Sequence, residues 1–211
     1  MQGSGVLGPR GDLVARKIAR RGAPRSWWLR NTLRWGFLKG WIAAHLIVPF
    51  ANWWGVMTAI ARLEVVLIRA NGERIYYGVV SYRVITSAGV NYIAADIAGG
   101  ASDSNLFKYH GLGTGTNAEA AGDTALQTEC TTTLNPDSTR ATGSQSSSTN
   151  TYTTVGTNTF DGAAAVTEHG ILTQAATGGG TLLDRSVFSA INVASGDSIQ
   201  TTYVLTLSAG G

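Results

Sequence analysis

The sequence predicts a mainly β protein: an antiparallel β-sandwich or jelly-roll-like module with a basic, Trp-rich, partly helical N-terminal arm. Three observations lead there. From residue 62 onward, apolar residues alternate in short runs separated by turn residues, the pattern of half-buried strands. Residues 111–211 hold 22 Thr and 10 Ser but no Lys, and the branched side chain of Thr suits a pleated surface. Charge also divides the chain. Residues 1–62 carry ten Lys or Arg and one acid, net +9, whereas residues 63–211 carry six and twelve, net −6. The overall charge of +3 conceals this split, which separates residues 1–61, the arm, from residues 62–211, the module.

All six Trp lie in the arm, at Trp27, Trp28, Trp35, Trp41, Trp53 and Trp54. Residues 1–25 read as a flexible basic start with one short helix at 12–21, capped by Asp12 and ended by Gly22 and Pro24. Ser26 is placed to cap a second helix through residues 27–38. Residues 40–61 contain no Asp, Glu, Lys or Arg, a length that would span a bilayer core. The basic residues before them match the cytoplasmic flank of such a span, and Ala59-Ile60-Ala61 mimics a signal-peptidase site. Against a span, His45, Pro49 and Asn52 interrupt the run, and the Trp residues are not confined to two belts. An interfacial or protein-docked helix pair broken at Pro49 fits better. Met57 offers a second possible start for the chain. Arg16, Lys17, Arg20 and Arg21 could meet phosphates and Trp could stack on bases. The neighbouring Ile42, Leu46, Ile47, Val48 and Phe50 favour docking or membrane contact over nucleic acid.

In the module, residues 63–69 and 74–80 form a hairpin about Asn71-Gly72, since Asn-Gly tolerates the positive φ of tight turns. Thr86-Ser87 opens a helix over 88–97, closed by Gly99-Gly100. Residues 105–110 read as a strand leading into Gly111-Leu112-Gly113-Thr114-Gly115-Thr116, where the chain bends out of the sheet. Residues 118–126 form a loop or short helix, Asn135-Pro136-Asp137 a turn, and 144–149 a low-complexity loop. Further strands are expected at 151–160, 165–173, 182–191 and 198–208, with turns at 161–162, 177–180 and 195–197. Short strands at this spacing indicate a sandwich or a partly closed barrel.

A search for chemistry yields no catalytic, cofactor-binding or metal-binding residue to assign. The glycine run at 111–115 lacks the Lys of a phosphate loop and the parallel βαβ unit of a dinucleotide site. His45, His110 and His169 are the only histidines. His110 and His169 with Glu168 could hold a metal or move protons, but neither spacing is a metal motif. Both are expected to be structural, bonded to backbone or to a carboxylate such as Glu168. Cys130, the only cysteine, rules out an intrachain disulfide and reads as an inert packed thiol. Tyr152, Phe160, Phe188 and Tyr203 lie within strand patterns and look like core. They are poor candidates for a glycan-binding platform, which would expose its aromatics.

Residues 79–211 resemble a family of small tailed-phage virion proteins. The likeness is carried by Val84-Ile85-Thr86-Ser87-Ala88-Gly89-Val90-Asn91-Tyr92, by Lys108-Tyr109-His110-Gly111-Leu112-Gly113-Thr114-Gly115-Thr116, and by Ala118-Glu119-Ala120-Ala121-Gly122-Asp123-Thr124-Ala125-Leu126. Thr139-Arg140-Ala141-Thr142-Gly143, Thr167-Glu168-His169-Gly170, Leu183-Asp184-Arg185-Ser186-Val187-Phe188 and Gly196-Asp197-Ser198-Ile199-Gln200 continue it. The resemblance implies a non-enzymatic capsid cement or decoration protein without cofactors. Its partners would be the major capsid protein or other virion proteins, with the chain forming a homo-oligomer and the arm contributing possible membrane contact. A tail or tail-fibre component, or an envelope β-domain anchored by residues 40–61, are the alternative expectations.

Overall fold

The computed structural model describes residues 20–82 and 84–209. Most of the helix expected at 12–21 lies outside them, as does its Asp12 cap. Its last two residues belong instead to a strand, β1 (Arg20–Gly22), paired in parallel with β3 (Arg74–Tyr82).

Two sheets form the sandwich. The first runs β1, β3, β2 (Thr58–Ile68), β12 (Ser198–Ser208), β9 (Thr151–Phe160) and β6 (Leu134–Asn135), with β8 (Ser144–Ser148) also paired to β9. The second runs β4 (Val84–Ile85), β11 (Leu182–Val193), β10 (Ala164–Leu172), β5 (Tyr109–Gly113) and β7 (Ala141–Thr142). Every pairing except β1 with β3 is antiparallel. The mainly β, sandwich-like class is therefore present, with two apolar clusters buried in the core.

The β2–β3 hairpin turns at Asn71-Gly72, where Gly72 takes φ +84°. β2 begins at Thr58, so the expected division between residues 61 and 62 falls within a continuous strand, and Ala59-Ile60-Ala61 is paired with β12. Strands at 151–160 and 198–208 form with the expected bounds, and those near 165–173 and 182–191 form with small shifts at their ends. Two expectations are corrected. The Ser-rich segment at 144–149 is not a loop but mostly β8, because its backbone pairs with the open side of β9. The strand expected at 105–110 starts only at Tyr109. Asp103 accepts from Asn105 N at 2.9 Å and holds Ser104–Leu106 in a 3-10 turn instead.

Helix α4 (Ser87–Ile97) begins as expected at Thr86, whose hydroxyl accepts from Gly89 N at 3.0 Å, and ends at Gly99 with φ +74°. It lays Tyr92 and Ile93 over Phe107, Leu183 and Tyr203. The arm departs further from expectation. Ser26 caps nothing, for α1 (Arg25–Thr32) starts after Pro24, which needs no N–H there. The chain breaks at Leu33-Arg34, then continues through α2 (Trp35–Ile42), a π-helical turn (Ala43–Ile47) and α3 (Val48–Trp53). Pro49 therefore does not break the helix. Its ring would clash with the carbonyl four residues back, and the wider π turn ahead of it relieves that clash.

Helix α1 belongs to the sandwich. Trp27 is 3% exposed and packs with Leu63, Tyr77, Phe188 and Ile191. Its indole N–H donates to Ser189 O and Ala190 O, both at 3.1 Å. Asn31, fully buried, donates to Val80 O at 2.8 Å and accepts from Ser189 N at 3.0 Å. One amide thus joins β3 of the first sheet to β11 of the second. Replacing it by Ala strands a carbonyl and an N–H in the core, and Asn31→Ala should cost about 3 kcal/mol, measured by urea unfolding.

At the opposite end, Asp197 accepts from Ala194 N at 2.9 Å, Ala70 N at 3.0 Å and Arg69 Nη1 at 2.7 Å. It ties the β2–β3 turn to the β11–β12 turn. Burial pushes its carboxyl up, but hydrogen bonds from Ala194, Arg69 and Ala70 outweigh burial and hold it below the ordinary carboxylate value. A depressed folded-state value stabilises the protein above the unfolded carboxylate pKa of about 4. That stabilisation is lost as pH falls through the lower folded value. Stability followed from pH 7 to about pH 2 should therefore decline in acid, and Asp197→Asn should flatten the decline.

Candidate functional site

Three constellations stand out: one between the sheets, one buried on the outer side of β10, and one on the surface. The first is the histidine pair. His110 on β5 and His169 on β10 lie diagonally across neighbouring strands, since His110 pairs with Ile171 and His169 with Leu112. Both are fully buried. His110 Nδ1 lies 3.0 Å from His169 Nε2 and 2.8 Å from Thr201 Oγ1, while His110 Nε2 lies 3.1 Å from Thr154 Oγ1. A Cβ on Gly156 would sit 2.5 Å from His110 Cδ2, so glycine there makes room for the ring. Of the two partners expected for these histidines, backbone or a carboxylate such as Glu168, the second is corrected. Successive residues of a strand face opposite ways, so Glu168 points away from the pair that His169 joins.

Glu168 forms the second constellation. Its carboxylate is fully buried. Oε1 accepts from Gly115 N at 3.0 Å and Thr128 N at 2.7 Å, and Oε2 from Gln127 N at 3.0 Å and Arg185 Nε at 2.8 Å. Arg185 also reaches Asp123 Oδ2 at 3.1 Å. Gly113 and Gly115 face this carboxylate so closely that a Cβ on either would collide with it. The glycine run at 111–115 thus does cradle an anion, but the anion is the protein's own side chain. Gly111 and Gly113 lie within β5 rather than at a bend leaving the sheet. Sequence spacing gave no sign of the Glu168–Arg185 pair, whose members meet only through the β10–β11 register.

Other polar groups are likewise turned inward. Arg140 pairs with Glu129, with Nη2 to Oε2 at 2.9 Å, and donates to Gln174 O and Gly179 O. Arg140 and Arg185 are the only cations beyond Lys108, and both are buried. Burial raises the Cys130 thiol above its ordinary value, which lowers its thiolate fraction. Phe160, Phe188 and Tyr203 are core, and Tyr152 packs beside Tyr203 at 6.3 Å. Among the described residues no group of three or more His, Cys, Asp or Glu is placed to hold a metal ion.

The third constellation is the outer face of the helix from Trp35 to Trp53. Trp35, Leu38, Trp41, Leu46, Phe50 and Trp53 are all at least 40% exposed. Their spacing of three or four residues widens to five between Trp41 and Leu46, where the π turn inserts its extra residue and keeps the face continuous. On the inner face two glycines allow close approach. A Cβ on Gly40 would lie 2.6 Å from Tyr82 Cβ, and Gly36 abuts the Glu119 carboxylate. Phe37 and His45 flank the same Tyr82 ring at 5.8 and 5.5 Å. His45 Nδ1 lies 2.9 Å from Trp41 O. Among the described residues no helix is long and apolar enough to cross a membrane.

Glu168→Gln removes the charge opposite a buried guanidinium. Stability to urea should fall by about 3 kcal/mol, and amide exchange should rise at Gly115, Gln127 and Thr128, the groups the carboxylate holds.

No family model, curated protein or solved structure matches the chain.

Proposed function

We propose that the chain is a non-enzymatic structural protein of a tailed-phage particle, seated on the head shell as a cement or decoration protein. One observation carries the structural part of the reading: the sandwich buries His110, His169 and the Glu168–Arg185 and Glu129–Arg140 pairs among internal partners, while the helix from Trp35 to Trp53 turns large apolar side chains outward. Contiguous exposed apolar surface marks a place where another surface docks. Buried ion pairs and histidines bonded to threonine serve packing and leave no open acid–base pair. The sequence segments that resemble phage virion proteins supply the particle. The expected partners are the major capsid protein and further copies of this chain.

Quantitative mass spectrometry of purified infectious particles, with heads and tails separated, tests this. The chain should be recovered in fixed proportion to the major capsid protein in the head fraction. Recovery with tails would move it to the tail or fibre, and its absence from particles would end the reading.

A further inference from the structure

We infer that the outward face of the Trp35–Trp53 helix is a docking surface for an anionic lipid membrane, on which the protein lies without crossing. The inference assigns this exposed face to lipid, and flotation tests it separately from recovery in particles, which tests the particle reading.

The first support is the inverted amphipathicity of this helix. In a surface helix of a globular protein the apolar stripe faces the core. Here Gly36 and Gly40, with Phe37 on Tyr82, face the protein, and Trp35, Leu38, Trp41, Leu46, Phe50 and Trp53 face out. Phe50 is 61% exposed and Trp53 73%. Their rings, with Trp54, form a cluster with centroids about 6 Å apart. Indole suits the lipid headgroup boundary, having an apolar body and one polar N–H.

The second support is charge. Between Asp12 and Glu64 the sequence contains no acidic residue. Arg25, Arg30 and Lys39 are exposed, and on the helix itself Lys39 Nζ stands 5.1 Å above the Trp35 ring. Glu119, the acid nearest this helix, abuts Gly36 on the inner side. Beyond Lys108 the two remaining cations are buried in internal pairs, so exposed positive charge gathers on the arm. Binding of an interfacial helix scales with buried apolar area plus attraction to anionic lipid, and this face provides both. The helix comprises consecutive segments of 8, 5 and 6 residues, and none is long and apolar enough to span. The fit is therefore to the surface of a bilayer.

The test is flotation of the full chain with vesicles. Equal parts of phosphatidylglycerol and phosphatidylcholine should bind it about tenfold better than phosphatidylcholine alone at low salt, with the preference shrinking as salt rises. Phe50→Ser combined with Trp53→Ser should cut binding by about tenfold or more. Its melting temperature should be unchanged, because both side chains are exposed. Arg30→Gln with Lys39→Gln should bring binding on the anionic vesicles down towards the neutral level. Failure to float with either vesicle overturns the inference, as does wild-type flotation by the Phe50/Trp53 variant. A dimer seen by light scattering, broken by that variant and indifferent to vesicles, would assign the face to a second copy and equally overturn it.

Discussion

Open sheets end in strands whose outer backbone groups lack partners, and everything else in this molecule depends on how one helix meets that need. β3 is an outer strand of the first sheet beyond the three residues covered by β1, and β11 is an outer strand of the second beyond its two pairs with β4. Helix α1 fills the gap between them. Asn31 offers an acceptor to Ser189 N and a donor to Val80 O, while Trp27 and Arg34 take carbonyls of Ser189, Ala190 and Phe188. Buried polar groups without partners cost far more than a made bond gains. The side chains of α1 therefore set the spacing of the sheets as well as covering them. An unpaired edge would also invite pairing with another chain.

Within that frame the core is layered. Along β12 the inward residues run Ile199, Thr201, Tyr203, and along β9 Phe160, Asn158, Thr154, Tyr152. On each strand a polar stretch separates members of the two apolar clusters. His110 and His169 fill that polar layer. Because each imidazole needs hydrogen-bonding neighbours at defined positions, the layer fixes the register of β5, β9, β10 and β12 more sharply than apolar contact would. On the outer side of β10, Glu168 does the same for the loop at 113–128, gathering three backbone N–H groups and one guanidinium around one carboxylate.

The strands were legible because their signal is local. At 151–160 and 198–208, alternation with flanking turn residues suffices, and Asn71-Gly72 carries its own backbone preference. What escaped was non-local or depended on competition between neighbours. Ser144–Ser148 has no hydrophobic alternation, and only the open side of β9 makes it a strand. Pro49 reads as a helix breaker unless the π turn before it is known. His169 and Glu168 were noticed as neighbours in sequence, yet strand geometry sends them to opposite faces, and the partners of Glu168 and of the two histidines lie 17 to 91 residues away. Asn31 has no sequence signature at all. A buried helical Asn is recognisable only once the two strands it joins are in place.

The Trp-rich arm divides at Leu33-Arg34, and its halves meet opposite fates for a physical reason. Trp27 sits where two sheet edges leave backbone carbonyls for its indole, so burial satisfies both its ring and its N–H. After the break, the helix approaches the sandwich closely at Gly36 and Gly40, whose missing side chains admit Tyr82 and Glu119, with Phe37 against the Tyr82 ring. Of its large apolar residues, Trp35, Leu38, Trp41, Leu46, Phe50 and Trp53 point away. Trp content alone could not separate these halves, since both are rich in Trp. The separation follows from which residues find unpaired backbone to bond, and the sandwich is already closed before the second helix contributes. That closure leaves the second helix free of a structural role in the core, and its outward face available to a partner.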